Sequence, residues 1–207
     1  SLEFLSGFPK LEYLDISMSM HIDHKIEYLE SFKNLVSLRE LILSPGNMIT
    51  DIDFLSECNK LEKLKIDLGT DYSRATELAD ISSLSNLKNL EELDITCIHS
   101  RLPGDDICKL LSPIGDCKKL KKLSLNGNDV DLDDISFLDS CNELSDLAIS
   151  GFGEGYSKYL PYNILGQIEN INKIKLPKNL NSIKINGIVT ISDGKPFTGI
   201  MYHNYED

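Results

Sequence analysis

The sequence predicts an α/β solenoid, a curved stack of repeats with a parallel sheet on its concave face and helices on its convex face. Three observations predict it. An apolar frame returns six times or more along 207 residues, the frame has the period of a strand, and the segments between frames have the spacing of helices.

The frame is L-x-x-L-x-[LI]. It stands at Leu11-Leu14-Ile16, Leu38-Leu41-Leu43, Leu61-Leu64-Ile66, Leu90-Leu93-Ile95, Leu120-Leu123-Leu125 and Leu144-Leu147-Ile149, with a looser copy at Leu180-Ile183-Ile185. First Leu to first Leu, the steps are 27, 23, 29, 30, 24 and 36 residues. The long last step also holds Ile171-Ile174-Leu176, so either of two segments can be the seventh strand. The last two apolar positions of a frame lie two apart and share one face of an extended chain, while their neighbours face water. One such strand cannot bury its leucines alone, whereas stacked copies form a parallel sheet over one continuous core. The repeated frame resembles that of the leucine-rich-repeat superfamily. The resemblance implies a leucine-rich-repeat solenoid, expected as a single domain of about seven repeats over 1–207. Leu2 to Phe8 aligns with Ile52 to Cys58, the return segment of a repeat, so the sequence starts mid-repeat and is expected to be a fragment of a longer protein.

Between frames, Leu78, Ile81, Leu84 and Leu87 recur every third residue, and Ile107, Leu110, Leu111, Ile114 and Cys117 fit one helical face. Asp105 and Asp106 follow Pro103-Gly104 as a helix N-cap would. The longer repeats are therefore expected to return through α-helices and the shorter ones through a tight helical turn.

Composition narrows the function classes. There is no Trp, and Leu and Ile far outnumber the eight Tyr and seven Phe, which suits identical packing layers. The net charge of -12, from 33 acidic against 21 basic residues, argues against nucleic acid, whose phosphates need a basic face. It also disfavours an anionic membrane surface. No apolar run approaches the ~18 residues of a membrane helix. Five cysteines (Cys58, Cys97, Cys108, Cys117, Cys141) form no C-x-x-C pair and no cysteine-rich cap, so reduced thiols in an intracellular, cytoplasmic protein are expected.

Cys58-x-x-Leu61-x-x-Leu64-x-Ile66 recurs at Cys117 and Cys141, and the stretch from Met48 to Leu61 resembles the cysteine-containing repeats of F-box proteins. The second cysteine of those repeats is missing except at Cys97, and there is no F-box. In other repeats the cysteine slot holds Phe8, Leu35 or Leu87. A slot that accepts Cys, Phe or Leu is a buried apolar pocket. One run, Leu176-Pro177-Lys178-Asn179-Leu180, is similar to the Leu-Pro repeats of some bacterial effectors.

No constellation supports catalysis. His21 and His24 have a two-ligand spacing, but a metal site needs three or four ligands with support behind them, so both are read as loop residues. Asp129, Asp131, Asp133 and Asp134 begin like a calcium loop, yet the sixth position is Asp134 instead of Gly and the twelfth is Ser140 instead of Glu; a solvated turn is expected. Gly151-Phe152-Gly153-Glu154-Gly155 lacks a phosphate-binding Lys and is read as a flexible loop, beside which Tyr156, Tyr159 and Tyr162 form an aromatic patch. No enzyme, cofactor, metal or small-molecule substrate is expected.

What remains is a non-catalytic scaffold that binds another protein through the outward side chains of its strands. These are Tyr13 and Asp15, Glu40 and Ile42, Lys63 and Lys65, Glu92 and Asp94, Lys122 and Ser124, Asp146 and Ala148, and Ser182 and Lys184. Tyr13, Asp15, Ile42, Lys63, Lys65, Glu92, Asp94, Lys122, Asp146 and Lys184 are the candidate partner-binding residues. Their signs alternate in bands, which favours a specific partner over general electrostatic capture. The F-box resemblance implies one alternative, the substrate-receptor part of a ubiquitin ligase. The other is the targeting domain of a pathogen effector enzyme.

Overall fold

The computed structural model describes residues 2–17, 29–44, 49, 51–67, 80–99, 107–130, 135–152 and 180–186. Seven strands form one parallel sheet in chain order: β1 (Tyr13–Ser17), β2 (Glu40–Ser44), β3 (Lys63–Asp67), β4 (Glu92–His99), β5 (Lys122–Val130), β6 (Asp146–Phe152) and β7 (Ser182–Asn186). The register matches the frames residue for residue. Leu14, Leu41, Leu64, Leu93, Leu123, Leu147 and Ile183 form one row, and Ile16, Leu43, Ile66, Ile95, Leu125, Ile149 and Ile185 the next. The Leu180 frame therefore supplies the seventh strand; Ile171 to Leu176 lies outside the described residues.

The strands enter the sheet through a recurring bond pattern. The N–H groups of Arg39 and Glu40 both donate to the Glu12 carbonyl at 2.8 and 3.0 Å. The same pair of bonds recurs from Glu62 and Lys63 to Arg39, Glu91 and Glu92 to Glu62, Lys121 and Lys122 to Glu91, and Ser145 and Asp146 to Lys121. Each repeat thus starts its strand at a height set by the one before. That fixes register, and with it which side chains face out.

The described convex side differs from the α-helices expected for the longer repeats, while the shorter repeats return through the tight helical turn expected of them. Among the described residues, six 3-10 helices line it, at Glu3–Gly7, Leu29–Asn34, Asp53–Leu55, Ser82–Asn86, Ser112–Asp116 and Ser136–Ser140. An α-helical turn, α1 (Ile107–Leu111), precedes the fifth in the 30-residue repeat. The reason lies in the spacing. Ile81, Leu84, Leu87 and Leu90 are three apart, the period of a 3-10 helix, and each N–H in the series donates to the carbonyl three residues earlier at 2.9–3.1 Å. The same chain of bonds links Ile52, Leu55, Cys58 and Leu61, and Ile135, Leu138, Cys141 and Leu144. In the fifth repeat the buried residues step by four across α1, from Ile107 to Leu111, and then by three through Ile114 and Cys117. Leu78 and the N-cap pair Asp105-Asp106 lie outside the described residues.

The core runs the length of the stack between sheet and 3-10 layer. Each inner repeat contributes about the same set, for example Ile52, Phe54, Leu55, Cys58, Leu61, Leu64 and Ile66, all under 5% exposed. Each fully buried aliphatic contributes about 1.5–3 kcal/mol, so the layers hold together only as neighbours. Phe32 and Phe54 meet edge to face at 5.0 Å between the second and third repeats. Where the fifth and sixth 3-10 helices meet, a Cβ on Gly115 would fall 2.5 Å from the Phe137 carbonyl oxygen.

Phe8 departs from the reading of its slot as buried. It is 52% exposed, and Phe4 beside it 63%, with the two rings edge to face at 6.4 Å. Leu2, Leu11, Leu14 and Ile16 are only partly covered. The slot is the same as that of Leu35 and Cys58, but burial there comes from the adjacent layers, and this layer has a described neighbour on one side only.

Candidate functional site

The outward side chains of β2 to β6 line a groove over the sheet, with a volume of about 450 Å³. Its floor is the backbone of Leu41, Leu64, Leu93, Leu123 and Leu147, whose side chains point into the core. Alternation of buried and accessible residues within β2 and β3 delivers Glu40, Ile42, Lys63 and Lys65 to its walls.

Two rows cross the strands. Tyr13, Glu40, Lys63, Glu92, Lys122 and Asp146 are register partners in the first, and Asp15, Ile42, Lys65, Asp94, Ser124 and Ala148 in the second. Neighbouring strands lie ~4.8 Å apart, so opposite charges on adjacent strands can reach each other. The Glu92 carboxylate takes Lys122 Nζ at 3.2 Å and Lys63 Nζ at 4.0 Å. Lys65 Nζ lies 3.7 Å from Asp94 Oδ2. The charge bands read from the sequence are thus ladders of ion pairs along the sheet. Two more pairs, Arg39 with Glu62 and Lys121 with Glu91, form a rim one residue before each strand. The hydrogen bond to Glu91 raises the affinity of the Lys121 ammonium for its proton.

Sequence reading named the bands but missed this pairing and missed the rim. The signal was present: Glu, Lys, Glu, Lys at one frame position in four successive repeats is a cross-strand ladder once the frames are in register. All these pairs are substantially exposed, so each contributes at most about 1 kcal/mol and weakens with salt.

The three lysines of the rows all stand beside carboxylates, but not all carboxylates stand beside lysines. Glu40 forms no ion pair among the described residues, although Lys63 is its register partner. Asp94 Oδ1 is buried and receives no hydrogen bond among the described residues. Tyr13 is half exposed, and its hydroxyl lies 3.5 Å from Asp15 Oδ2. Partial desolvation, then the Asp15 and Glu40 carboxylates, raise its phenol above the ordinary value. Ile42, half buried, is the largest aliphatic side chain in the two described rows. Asp146 Oδ2 accepts a hydrogen bond from Ser145 Oγ at 2.7 Å. Lys184 stands on β7, in register with Ala148.

The cysteine slots are built alike. Cys58, Cys117 and Cys141 are at most 1% exposed, and neither they nor Cys108 are in a disulfide. Each buried thiol points at a carbonyl of the preceding repeat: Cys58 Sγ to Phe32 O at 3.5 Å, Cys117 Sγ to Leu84 O and Cys141 Sγ to Ile114 O at 3.6 Å. Burial pushes the Cys58 thiol to about 11 and the Cys117 thiol to about 12, and raises Cys141. These are packing groups with a weak bond to the layer below.

Among the described residues, no group of three or more His, Cys, Asp or Glu side chains could hold a metal ion. No helix among them is long and apolar enough to cross a membrane. His21 and His24, Asp131 to Asp134, and Tyr156, Tyr159 and Tyr162 lie outside the described residues. Two loop readings are corrected in part: Asp129 belongs to β5, and β6 runs on through Gly151 and Phe152, where Phe152 pairs with Val130. The parallel ladder simply extends past the apolar frame.

No family model and no curated protein matches the chain. Solved structures do. An internalin (inlF) from Listeria monocytogenes is 26% identical with a TM-score of 0.56, over 90% of this chain and 44% of that one. The chain is a leucine-rich-repeat solenoid. It spans less than half the length of that internalin. An internalin C2 from the same organism is 19% identical over 88% of this chain and 74% of its own, with a TM-score of 0.44. A plant peptide hormone receptor, RGFR1 in complex with RGF2, is 19% identical over 89% and 30%, with a TM-score of 0.47.

Proposed function

We propose that this leucine-rich-repeat chain is a non-catalytic scaffold that binds a partner protein through the concave face of its sheet. The observation that carries the reading is the groove itself. Within the seven-stranded register, β2 to β6 hold two rows of mostly polar and charged side chains over a rigid backbone floor. Such a surface has a fixed pattern and wide reach, which suits a protein better than a small molecule. The candidate contacts are Tyr13, Asp15, Ile42, Lys63, Lys65, Glu92, Asp94, Lys122, Asp146 and Lys184, with the whole of 1–207 serving as one recognition domain. An intracellular, cytoplasmic setting is consistent with cysteines that sit in packing slots and not in a disulfide-closed cap.

The experiment is a charge swap. Lys65→Asp with Asp94→Lys restores an ion pair across β3 and β4 with its polarity reversed. Folding stability should stay within about 0.5 kcal/mol of the parent, because both side chains point away from the core. Partner affinity should fall about tenfold or more. A swapped protein that binds its partner with unchanged affinity removes these two strands from the site.

A second reading rests on the cysteine slots. Cysteine in the slot of three repeats (Cys58, Cys117 and Cys141), in a frame like that of F-box-type repeats, supports the substrate-receptor part of a ubiquitin ligase. That reading keeps the same concave site and adds an adaptor partner, which a pull-down with a ubiquitin-ligase adaptor tests.

A further inference from the structure

We infer that the partner offers this groove a basic, extended segment in which cationic residues flank an aliphatic one. The inference rests on the concave-face reading above and adds the chemistry of what sits there. Across β1 to β6 the two rows carry five carboxylates against three ammonium groups, in a chain whose net charge is already -12. The cations are engaged: Lys63 and Lys122 share Glu92, and Lys65 holds Asp94. An acidic partner would therefore have to break pairs before making its own. The acceptors are not used up. Glu40 has no ion pair among the described residues, and Asp94 Oδ1 sits in the groove wall without a donor. An N–H or guanidinium donor from outside would supply the bond that this acceptor lacks.

Geometry places an aliphatic contact between these acceptors. Glu40 and Ile42 lie on the same face of β2, and Lys65 of β3 connects Ile42 to Asp94 of β4 in register. Crossing from Glu40 on β2 to Asp94 on β4 takes two strand spacings and two residues along the strand, roughly 12 Å on the diagonal. A chain in extended or polyproline form covers that in about four residues. An Arg at each end reaches Glu40 and Asp94, and an aliphatic side chain between them lies on Ile42. The acidity of the whole chain also speeds the approach of such a segment.

Acetylated, amidated Arg-Leu-Leu-Arg and Glu-Leu-Leu-Glu peptides, titrated into the full isotope-labelled chain and followed by amide chemical shifts, test this. The basic peptide should give saturable shifts on β2 to β4, and the acidic one should not. Glu40→Gln and Asp94→Asn should each weaken the basic peptide roughly threefold to tenfold. Glu57→Gln and Glu143→Gln, which remove the same charge outside the groove, should leave it within twofold. Saturable binding of the acidic peptide on the same strands would overturn the basic chemistry and leave the concave site standing. Shifts confined to other surfaces, or equal losses from Glu57→Gln and Glu40→Gln, would overturn both. Absence of saturable shifts with either peptide would overturn the inference alone, since a larger folded partner could still occupy the face.

Discussion

Cys117 offers the sharpest test of how the layers stack. The side chain is 1% exposed, and its thiol points at the Leu84 carbonyl 3.6 Å away, an oxygen that already accepts the Leu87 N–H at 2.9 Å. Cys117→Ala removes the sulfur and leaves everything else. The lost burial is about 0.8 kcal/mol for a group of that size, and the small cavity adds a few tenths, so about 1 kcal/mol is expected. Cys117→Ser keeps the volume more nearly but exchanges a soft, weakly polar sulfur for a hydroxyl. The shorter C–O bond draws the oxygen back from a carbonyl already at the limit of reach, leaving it buried without a good partner. That adds about 1–2 kcal/mol, for a total near 2–3 kcal/mol. In a chain of this size the two variants should lower the melting temperature by about 2–4 °C and 4–12 °C respectively. Urea titrations of both variants beside the parent resolve the difference. A Ser variant as stable as the parent, or more stable than the Ala variant, would show that the slot is polar and the reasoning wrong.

Further outcomes follow from the same geometry. Cys58, Cys117 and Cys141 should resist iodoacetamide at pH 8 in the native state and label quickly in urea. Because burial raises these thiols in the folded chain, their contribution to stability is complete below the ordinary value of 9.0. It is lost as pH rises through about 11 and 12, and melts between pH 8 and 11 should show the decline. Gly115→Ala should destabilise by about 1–3 kcal/mol in the same urea assay, because its new Cβ meets the Phe137 carbonyl. Asp80→Ala should cost about 0.5–1 kcal/mol, since Asp80 Oδ1 accepts the Ser82 N–H at 2.7 Å at the start of a 3-10 helix. The hydrogen bonds from Ser82 lower this carboxyl below 3.8, so its contribution is present above that pH and lost as acid protonates it.

Much of the fold was legible because one frame carries two kinds of information. The L-x-L spacing identifies a strand, and its return identifies the neighbour, so the row from Leu14 to Leu147 follows from the frames alone, whereas two segments competed for the seventh strand and only the register with β6 assigns it to Ile183. The convex side was less legible. Residues three apart, from Ile81 to Leu90, fit an α-helical face loosely and a 3-10 turn well, and backbone bonds decide between them. Phe8 shows a different limit: aligning repeats reveals what a slot is, but burial depends on the layers above and below it. The outward residues were legible by position, but their use was not. That Lys63 and Lys122 converge on Glu92 while Glu40 stands apart depends on side-chain distances that no repeat alignment contains.

Site-directed photo-crosslinking tests the central claim most directly. A photoreactive phenylalanine analogue is placed at Ile42 or Ser124 in the groove, and at Lys33 or Glu57 outside it, in cells that contain the native partner. The account predicts that a partner protein is trapped at the two groove positions and not at the outer two. Trapping at Lys33 or Glu57 alone would contradict it and move recognition off the concave sheet.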